Sequence, residues 1–253
     1  MSTDLNASRK QRSSEKFPHY GADVHCHAIR GWGIRRTLGS GGEMEVTAPE
    51  RVESPESVES RPSQPEQLAQ LALQVANCRD CGLCESRNLT AFGVGDPDAD
   101  LMFVGEAPGH EEDRRGEPFV GRAGQLLDKI IAALGLGRDQ VYIANVLKCR
   151  PPGNRDPQPA EIEACRSYLE AHIRLVESRI LVALGRPAAC WLTGQETSLK
   201  RLRGQQHQWQ GIPVIATYHP AFLLRQEQYK GHCWQDLQQV IEYLDLTPGA
   251  GRS

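Results

Sequence analysis

The sequence predicts an α/β fold of three layers, α/β/α, in which helices cover both faces of a central, mainly parallel, four-stranded sheet. The candidate strands are continuous apolar runs, as expected for strands buried on both faces, and they alternate with segments of helical periodicity. Residues 1–65 show neither pattern and are basic, glycine-rich or acidic. We therefore expect a disordered N-terminal extension over 1–65, one folded domain over 66–246 and a flexible tail over 247–253.

The elements of the domain are predicted in order along the chain. A short helix over 68–76 comes first and leads to Cys78. Apolar runs then predict strands at 101–104, 141–146, 180–184 and 212–217. Apolar residues at helical spacing predict helices at 126–134, where Gly135 ends the pattern, at 159–176, where Pro159 suits the first turn, and at 186–192 and 234–244.

Charge and hydropathy exclude two classes of protein. The chain of 253 residues has a net charge of −3, and residues 66–246 hold 19 Lys and Arg against 23 Asp and Glu. A polycationic nucleic-acid wrapper is excluded, and any phosphate contact must come from local clusters. No apolar stretch approaches the ~18 residues of a membrane span, and the N-terminus lacks the apolar region of a secretory signal. We therefore expect a cytoplasmic protein with no membrane partner.

Three polar segments fall where the predicted strands end. Gly105-Glu106-Ala107-Pro108-Gly109 follows the first strand, Asn145 lies near the end of the second, and His219-Pro220 follows the fourth. Ordinary turn chemistry explains the glycines and prolines, but not an asparagine inside an apolar strand or a His-Pro pair at a strand end. Because ligands of parallel sheets bind at the carboxyl ends of the strands, the three segments predict one site.

Longer segments around these positions resemble the motifs of a known family. They run over 105–113, 118–127, 145–155 and 219–225. In this order they resemble the motifs of the type 4 uracil-DNA glycosylases, the iron–sulfur branch of that superfamily, and the match extends over about 78–244. The resemblance implies a monofunctional enzyme that flips uracil out of DNA, hydrolyses its N-glycosidic bond and leaves an abasic site for base excision repair.

The resemblance also implies roles for three residues that bind the base. His219 is expected to donate a hydrogen bond to the uracil oxygen as negative charge grows on the departing base. Asn145 offers a donor and an acceptor to the edge of the pyrimidine, which favours uracil over cytosine. Phe119 is expected to stack on the base. The residues alone also allow a core histidine, a loop-capping asparagine and a core phenylalanine.

The residue that positions the attacking water is less clearly indicated. Ala107 stands where the best-known uracil glycosylases carry a water-activating aspartate, so it is expected only to line the uracil site. Glu106 and Asn154 are the remaining candidates to orient water or stabilise the cationic sugar, and a structural role for Glu106 is open. Glu111, Glu112 and Asp113 are interpreted as a solvated start of a helix, with closure of the loop as the alternative role of Asp113.

DNA contacts are assigned to local cations and one apolar side chain. Lys148, Arg150 and Arg155 lie in one loop, and Arg225 ends the His-Pro segment. Leu223 or Leu224 is expected to be the wedge that fills the gap left by the flipped base, the alternative being that both pack in the core. A run of three further cations is either a DNA contact or a solvated face: Lys200, Arg201 and Arg203.

Four cysteines have the ligand spacing of the family. Cys78 and Cys81 form a C-x2-C pair, and Cys149 and Cys165 follow. The resemblance implies a [4Fe–4S] cluster, although zinc bound by four thiolates fits the same spacing. Cys84 extends the first pair to C-x2-C-x2-C and is interpreted as a bystander.

Two other functions remain open at the level of sequence. One is a non-enzymatic iron–sulfur module of the same fold, binding uracil-containing DNA or associated with a polymerase, which would not need His219 and Asn145 together. The other is a covalent uracil-DNA-trapping relative, disfavoured because its Arg/His-rich insertion is absent after Cys149. We expect a monomer at the nucleoid with uracil-containing DNA as partner and the N-terminal extension as the site for replication or repair proteins.

Overall fold

The computed structural model describes residues 62–249, and a six-stranded sheet lies at the centre of that part. The strand order is β1-β3-β2-β4-β6-β5. Strands β2, β3, β4 and β6 are parallel, and β1 and β5 pair antiparallel at the two edges. The strands are β1 (Val94–Gly95), β2 (Leu101–Gly105), β3 (Tyr142–Asn145), β4 (Ile180–Leu184), β5 (His207–Trp209) and β6 (Ile212–Thr217).

The four predicted strands are thus confirmed as the parallel centre of the sheet, and the prediction missed both edge strands. Two residues in β1 and three in β5 are too few to show a period. The eight helices of the described part are α1 (Gln64–Asn77), α2 (His110–Arg115), α3 (Arg122–Ala133), α4 (Pro159–Val176), α5 (Arg186–Thr193), α6 (Leu199–Leu202), α7 (Pro220–Leu223) and α8 (Lys230–Leu244).

Alternate residues of each central strand pack on opposite faces of the sheet. In β2, Met102 and Val104 join the core with helices α1, α4 and α5, whereas Leu101 and Phe103 join the core with α3, α7 and α8. All five residues of β2 and of β4 are buried, which explains why both strands read as continuous apolar runs. The helices on the two faces complete the predicted three layers.

Both ends of the predicted domain differ slightly from the prediction. Helix α1 begins at Gln64, four residues before the predicted helix and two before the predicted start of the domain. The Glu66 carboxylate accepts a hydrogen bond from the Ser63 backbone N–H at 2.7 Å and caps the helix. Most of the predicted disordered extension, residues 1–61, lies outside the described residues. At the other end, the Gly249 N–H donates to the Ala133 carbonyl at 3.2 Å, so residues 247–249 lie against the end of α3. None of the helices in the described part is both long and apolar enough to cross a membrane.

Candidate active site

One pocket of about 660 Å³ lies at the carboxyl ends of β2, β3 and β6. It brings together the three segments that the sequence placed at strand ends. The predicted residues that line it are Glu106, Ala107, Phe119, Asn145, Asn154, Arg155, His219 and Arg225. The volume is in the range of small-molecule sites and is large enough for a single nucleobase with its sugar.

Asn145 ends strand β3 inside the pocket with an unpaired acceptor. Its side chain is 1% exposed, and its Oδ1 has no hydrogen-bond partner among the described residues. A buried acceptor of this kind costs about 1–3 kcal/mol unless a ligand provides a donor. The neighbouring Gly105 is required for this arrangement, because a Cβ there would collide with Asn145 Oδ1 and lie 2.6 Å from Phe119 Cζ.

Phe119 forms one wall of the pocket in a conformation that the neighbouring helix fixes. Its φ is 55°, in the left-handed region that a bulky residue rarely adopts. A Cβ at Gly124 would collide with the Phe119 carbonyl, so α3 packs directly on this backbone. The Phe119 ring lies 5.5 Å from the His219 ring, between centroids. The phenylalanine is therefore held in a strained but rigid position opposite the histidine.

Glu112 joins two of the motifs, and the prediction that it lies on a solvated surface is wrong. Its carboxylate accepts hydrogen bonds from the backbone N–H groups of Gly109 at 3.1 Å, Val120 at 3.0 Å and Gly121 at 2.9 Å. The loop after β2 is thereby tied to the segment that carries Phe119. The signal was present in the sequence, since Glu112 is the third residue of a helix that follows Gly109, the position of a capping-box acceptor.

Asp113 is not solvated, and it has the alternative role predicted for it, which is to close a loop. It is 1% exposed, and its carboxylate accepts hydrogen bonds from the Asn88 backbone N–H at 2.9 Å and from the Asn88 side-chain amide. Glu111 does conform to the expectation of a solvated position, since it pairs with His110 and Arg114 at the surface.

His219 caps the N-terminus of α7 as a neutral ring. Its Nδ1 accepts a hydrogen bond from the Ala221 N–H at 3.1 Å. Burial, reinforced by the positive charge of Arg225, lowers the pKa of His219 to about 4. The ring is therefore neutral at physiological pH, and the hydrogen bond to Nδ1 places the proton on Nε2. The histidine is prepared to donate from Nε2 without carrying a positive charge.

Glu106 and Asn154 line the same pocket. Burial and the nearby negative charge of Asp156 raise the pKa of the Glu106 carboxyl. The Glu106 carbonyl accepts from the Leu147 N–H at 3.0 Å, which fixes the loop after β2 to the loop after β3. Asn154 has a φ of 55°, and its Oδ1 accepts from Arg150 Nε at 2.7 Å. A carboxylate with a raised pKa in a pocket is suited to accept a proton.

The four side chains predicted to contact DNA differ in their exposure and in the partners that they already bind within the protein. Arg225 is exposed, and Arg150 is half-buried and holds Asn154. The Arg155 guanidinium donates to both carboxylate oxygens of Glu161, at 2.6 and 2.9 Å, so its fork is occupied within the protein. Leu223 is 1% exposed in the core between α3 and α8, and burial therefore removes it as a wedge. The half-buried Leu224 is the alternative at this turn.

Lys148 was grouped with the surface cations and is instead almost completely buried. It is 1% exposed, and its Nζ lies 2.9 Å from the Asn145 carbonyl, to which it donates, and 3.2 Å from His172 Nδ1. His172 Nε2 is in turn 2.8 Å from the Tyr142 hydroxyl. Burial lowers the pKa of Lys148 to about 7. This side chain supports the backbone behind Asn145 and does not reach DNA.

The predicted cysteine ligands line one small cavity on the other side of this loop. Cys78, Cys81, Cys149 and Cys165 all face it, and Cys84 does so as well. Arg87 Nη1 donates to Cys149 Sγ at 3.2 Å, which places a positive charge beside the thiols. Within residues 62–249, no group of three or more His, Cys, Asp or Glu side chains is placed to hold a metal ion. The cavity is nevertheless lined by five cysteines, and thiol sulfur is the donor type that holds an iron–sulfur group.

Several known proteins are similar to this chain in sequence. The family model "Uracil DNA glycosylase superfamily" matches residues 92–238. The type-4 uracil-DNA glycosylase of Archaeoglobus fulgidus is 41% identical over 67% of this chain and 89% of its own length. Those of Sulfurisphaera tokodaii and Thermotoga maritima are 42% and 44% identical, over 69% and 60% of this chain and 83% and 80% of their own lengths. The chain therefore belongs to the uracil-DNA glycosylase superfamily, in its type-4 family.

Proposed function

We propose that this protein excises uracil from DNA by hydrolysing the bond between the base and its sugar. The observation that carries the proposal is the unpaired Oδ1 of Asn145, buried in a pocket that also contains the Phe119 ring and the neutral His219. A flipped uracil supplies what this arrangement lacks, because its N3–H is a donor for the buried acceptor.

Base selection follows from the two ends of the Asn145 amide. Oδ1 accepts from uracil N3–H, and Nδ2 donates to uracil O4. Cytosine has an acceptor at N3 and an amine at C4, so both contacts become unfavourable. A site whose buried polar groups are left unpaired by the wrong ligand discriminates strongly against it. The Phe119 ring adds a contact with the flat face of the base.

Cleavage is proposed to proceed by departure of uracil as an anion. The bond between N1 of the base and C1′ of the sugar breaks, and its electron pair goes to uracil. Nε2–H of His219 donates to the uracil oxygen where the negative charge accumulates. A preorganised donor of this kind stabilises a transition state by about 3–4 kcal/mol. Neutrality suits the histidine, because only the neutral ring keeps Nδ1 as the acceptor of the Ala221 N–H, which holds the ring in place at every pH well above its pKa of about 4.

Water completes the reaction at the cationic sugar. Its oxygen attacks C1′, and its proton goes to the Glu106 carboxylate, whose pKa is raised by burial and by Asp156. The negative charge of Glu106 also stabilises the positive charge that develops on the sugar. Asn154, held by Arg150, orients the water. Ala107 contributes only its position in the wall of the pocket.

DNA is held by the cations around the mouth of the pocket. Arg225 and Arg150 are assigned to phosphate contacts, which set affinity and salt dependence rather than sequence preference. Leu224 replaces Leu223 as the apolar side chain inserted into the space left by uracil. Arg155 orders the loop through Glu161.

We further propose that Cys78, Cys81, Cys149 and Cys165 hold a [4Fe–4S] cluster. The supporting observation is that all four thiols line the same cavity, with the Arg87 guanidinium on Cys149. When bound, such a cluster crosslinks the segment before β1, the loop after β3 and helix α4. Its role would be structural, since the cavity lies behind the loop rather than in the uracil pocket.

The proposal is tested by incubating the protein with a single-uracil oligonucleotide and treating the product with alkali. We expect release of free uracil and strand breakage only after alkali, as for hydrolysis by water without strand cleavage. An oligonucleotide with thymine or cytosine at the same position should stay intact. Tight binding to the uracil oligonucleotide without release of uracil would refute the enzyme and favour a binding module.

A further inference from the structure

A second groove, of about 780 Å³, adjoins the uracil pocket and has no part in the proposed reaction. Tyr218 and Phe222 line both cavities, so the groove is a continuation of the pocket. Tyr229, His232 and Lys200 line the groove beyond them. We call this surface, defined by those five residues, the aromatic groove.

Aromatic rings form one wall of the groove. Tyr218 and Phe222 stack at 5.1 Å with an interplanar angle of 16°, and Tyr229 lies 5.1 Å from the first and 5.2 Å from the second. All three rings are half-buried, and the exposed His232 lies 5.7 Å from Tyr229. Partly exposed rings next to a nucleotide site are a platform on which unpaired bases stack.

The charges of the groove suit a phosphate chain. Asp236 is the one acid among the described residues that line it, and Arg203 neutralises it with hydrogen bonds of 2.7 and 3.1 Å. The Arg203 guanidinium also lies 4.3 Å from the centre of the Tyr218 ring, so it belongs to the floor of the groove. Lys200 remains exposed at the rim. The groove thus presents rings and an exposed cation without an uncompensated carboxylate.

We propose that the aromatic groove binds unpaired nucleotides adjacent to the uracil on the same DNA strand. Their bases stack on the wall formed by Tyr229 with Phe222, and a phosphate lies at Lys200. The continuity of the groove with the pocket argues for this occupant, because a strand whose uracil enters the pocket must leave along an adjoining surface. The inference rests on the proposed uracil excision and adds single-stranded DNA around the uracil to the substrates that the site accepts.

The test measures single-turnover excision at increasing protein concentrations on single-stranded oligonucleotides. One substrate has a single nucleotide on each side of uracil, and two others extend it by about five nucleotides on the 5′ or the 3′ side. We expect extension on one side to lower the half-saturating protein concentration by about tenfold, with the maximal rate unchanged. Equal half-saturation by all three substrates would overturn the proposal.

Variants with matched controls locate the effect in the groove. Lys200→Gln and Tyr229→Leu should lose the gain from extension, and Lys200→Gln should reduce the slope of log affinity against log salt by about 0.7. Tyr229→Phe keeps the ring and should keep the gain, as should Arg201→Gln, which removes a neighbouring exposed cation. Because Lys200 is exposed, its variant remains informative if Tyr229→Leu fails to fold.

The outcomes separate this inference from the function on which it rests. An undiminished gain in both Lys200→Gln and Tyr229→Leu would refute the aromatic groove while leaving uracil excision intact. Failure of the unaltered protein to release uracil from any of the oligonucleotides would refute the proposed function itself.

Discussion

Replacing His219 with alanine is the most direct test of the proposed chemistry. The ring is held by the Ala221 N–H and by its position 5.5 Å from Phe119, so its Nε2 proton is oriented before the substrate arrives. Loss of one preorganised donor costs about 3–4 kcal/mol, which corresponds to about 10²- to 10³-fold in the single-turnover excision rate. DNA affinity should change little, because the donor acts mainly on charge that develops in the transition state.

The controls for this experiment are available in the same chain. His110 lies in the first motif but is exposed, so His110→Ala should keep the full rate. His219→Gln retains a donor and should recover part of the loss. A decrease of less than about threefold in His219→Ala, with the protein folded, would remove His219 from the mechanism.

The pKa of His219 adds a second readout on the same variant. Because the folded-state pKa of about 4 is below the ordinary value of 6.5, the folded state binds fewer protons than the unfolded state between these values. Protonation therefore destabilises the unaltered protein as pH falls from 6.5 to 4, by up to about 3 kcal/mol. His219→Ala should lack this contribution in urea unfolding. An identical pH dependence of unfolding in both proteins would contradict a buried, neutral histidine.

Four further predictions concern the rest of the site and the extension. Asn145→Asp should lower uracil excision and permit measurable release of cytosine, assayed on matched oligonucleotides. If this variant excises uracil as fast as the unaltered protein, another residue reads the base. Asp156→Asn removes a negative charge that raises the pKa of Glu106, so the acidic limb of the pH–rate profile should move to lower pH, and an unmoved limb would exclude Glu106 as the base. The purified protein should be brown and contain about four iron atoms, whereas colourless, active protein with one zinc would establish the four-thiolate zinc site. Deletion of residues 1–62, which ends just before α1, should leave excision on short oligonucleotides within about twofold at moderate salt, and a larger loss with the metal centre intact would place the extension in DNA binding.

The central strands and the long helices were predictable because most of their side chains that face the core are apolar, which gives each element a recognisable pattern. Helix α4 occupies Pro159–Val176 and β6 occupies Ile212–Thr217, both at the predicted bounds. Strands β1 and β5 were missed because edge pairing depends on a neighbouring strand rather than on a local period. The sequence also placed Asn145 and His219 at one site, because the carboxyl ends of parallel strands meet at the same edge of the sheet. Phe119 does not follow a strand, and the family resemblance alone assigned it to this site.

The misassigned residues share a physical cause. Glu112, Lys148, Arg155 and Arg203 are charged, and composition alone assigns charged residues to the surface. In the structure Glu112 and Lys148 bind backbone groups, and the two arginines bind carboxylates. These partners are backbone groups or carboxylates of other segments. Among the four residues, Glu112 alone followed a spacing rule that could have revealed its role, as the third residue of its helix. The wrong assignments are concentrated around the candidate site, because buried charged side chains there hold loops in fixed positions through hydrogen bonds.

The loop between Asn145 and Cys149 is one of these fixed loops, and hydrogen bonds hold it in place. The N–H groups of Val146 and Leu147 donate to the carbonyls of Gly105 and Glu106 at 2.9 and 3.0 Å, and Lys148 Nζ donates to the Asn145 carbonyl. The three residues between Asn145 and Cys149 are thus all fixed by hydrogen bonds, and Cys149 lines the cysteine cavity. In the proposed mechanism, Asn145 keeps its buried Oδ1 unpaired until uracil binds. A more mobile loop would let the side-chain amide turn toward another donor. We therefore expect removal of the metal centre to lower the selectivity for uracil over cytosine before it abolishes DNA binding. The selectivity is measured as the ratio of the two excision rates during stepwise iron chelation.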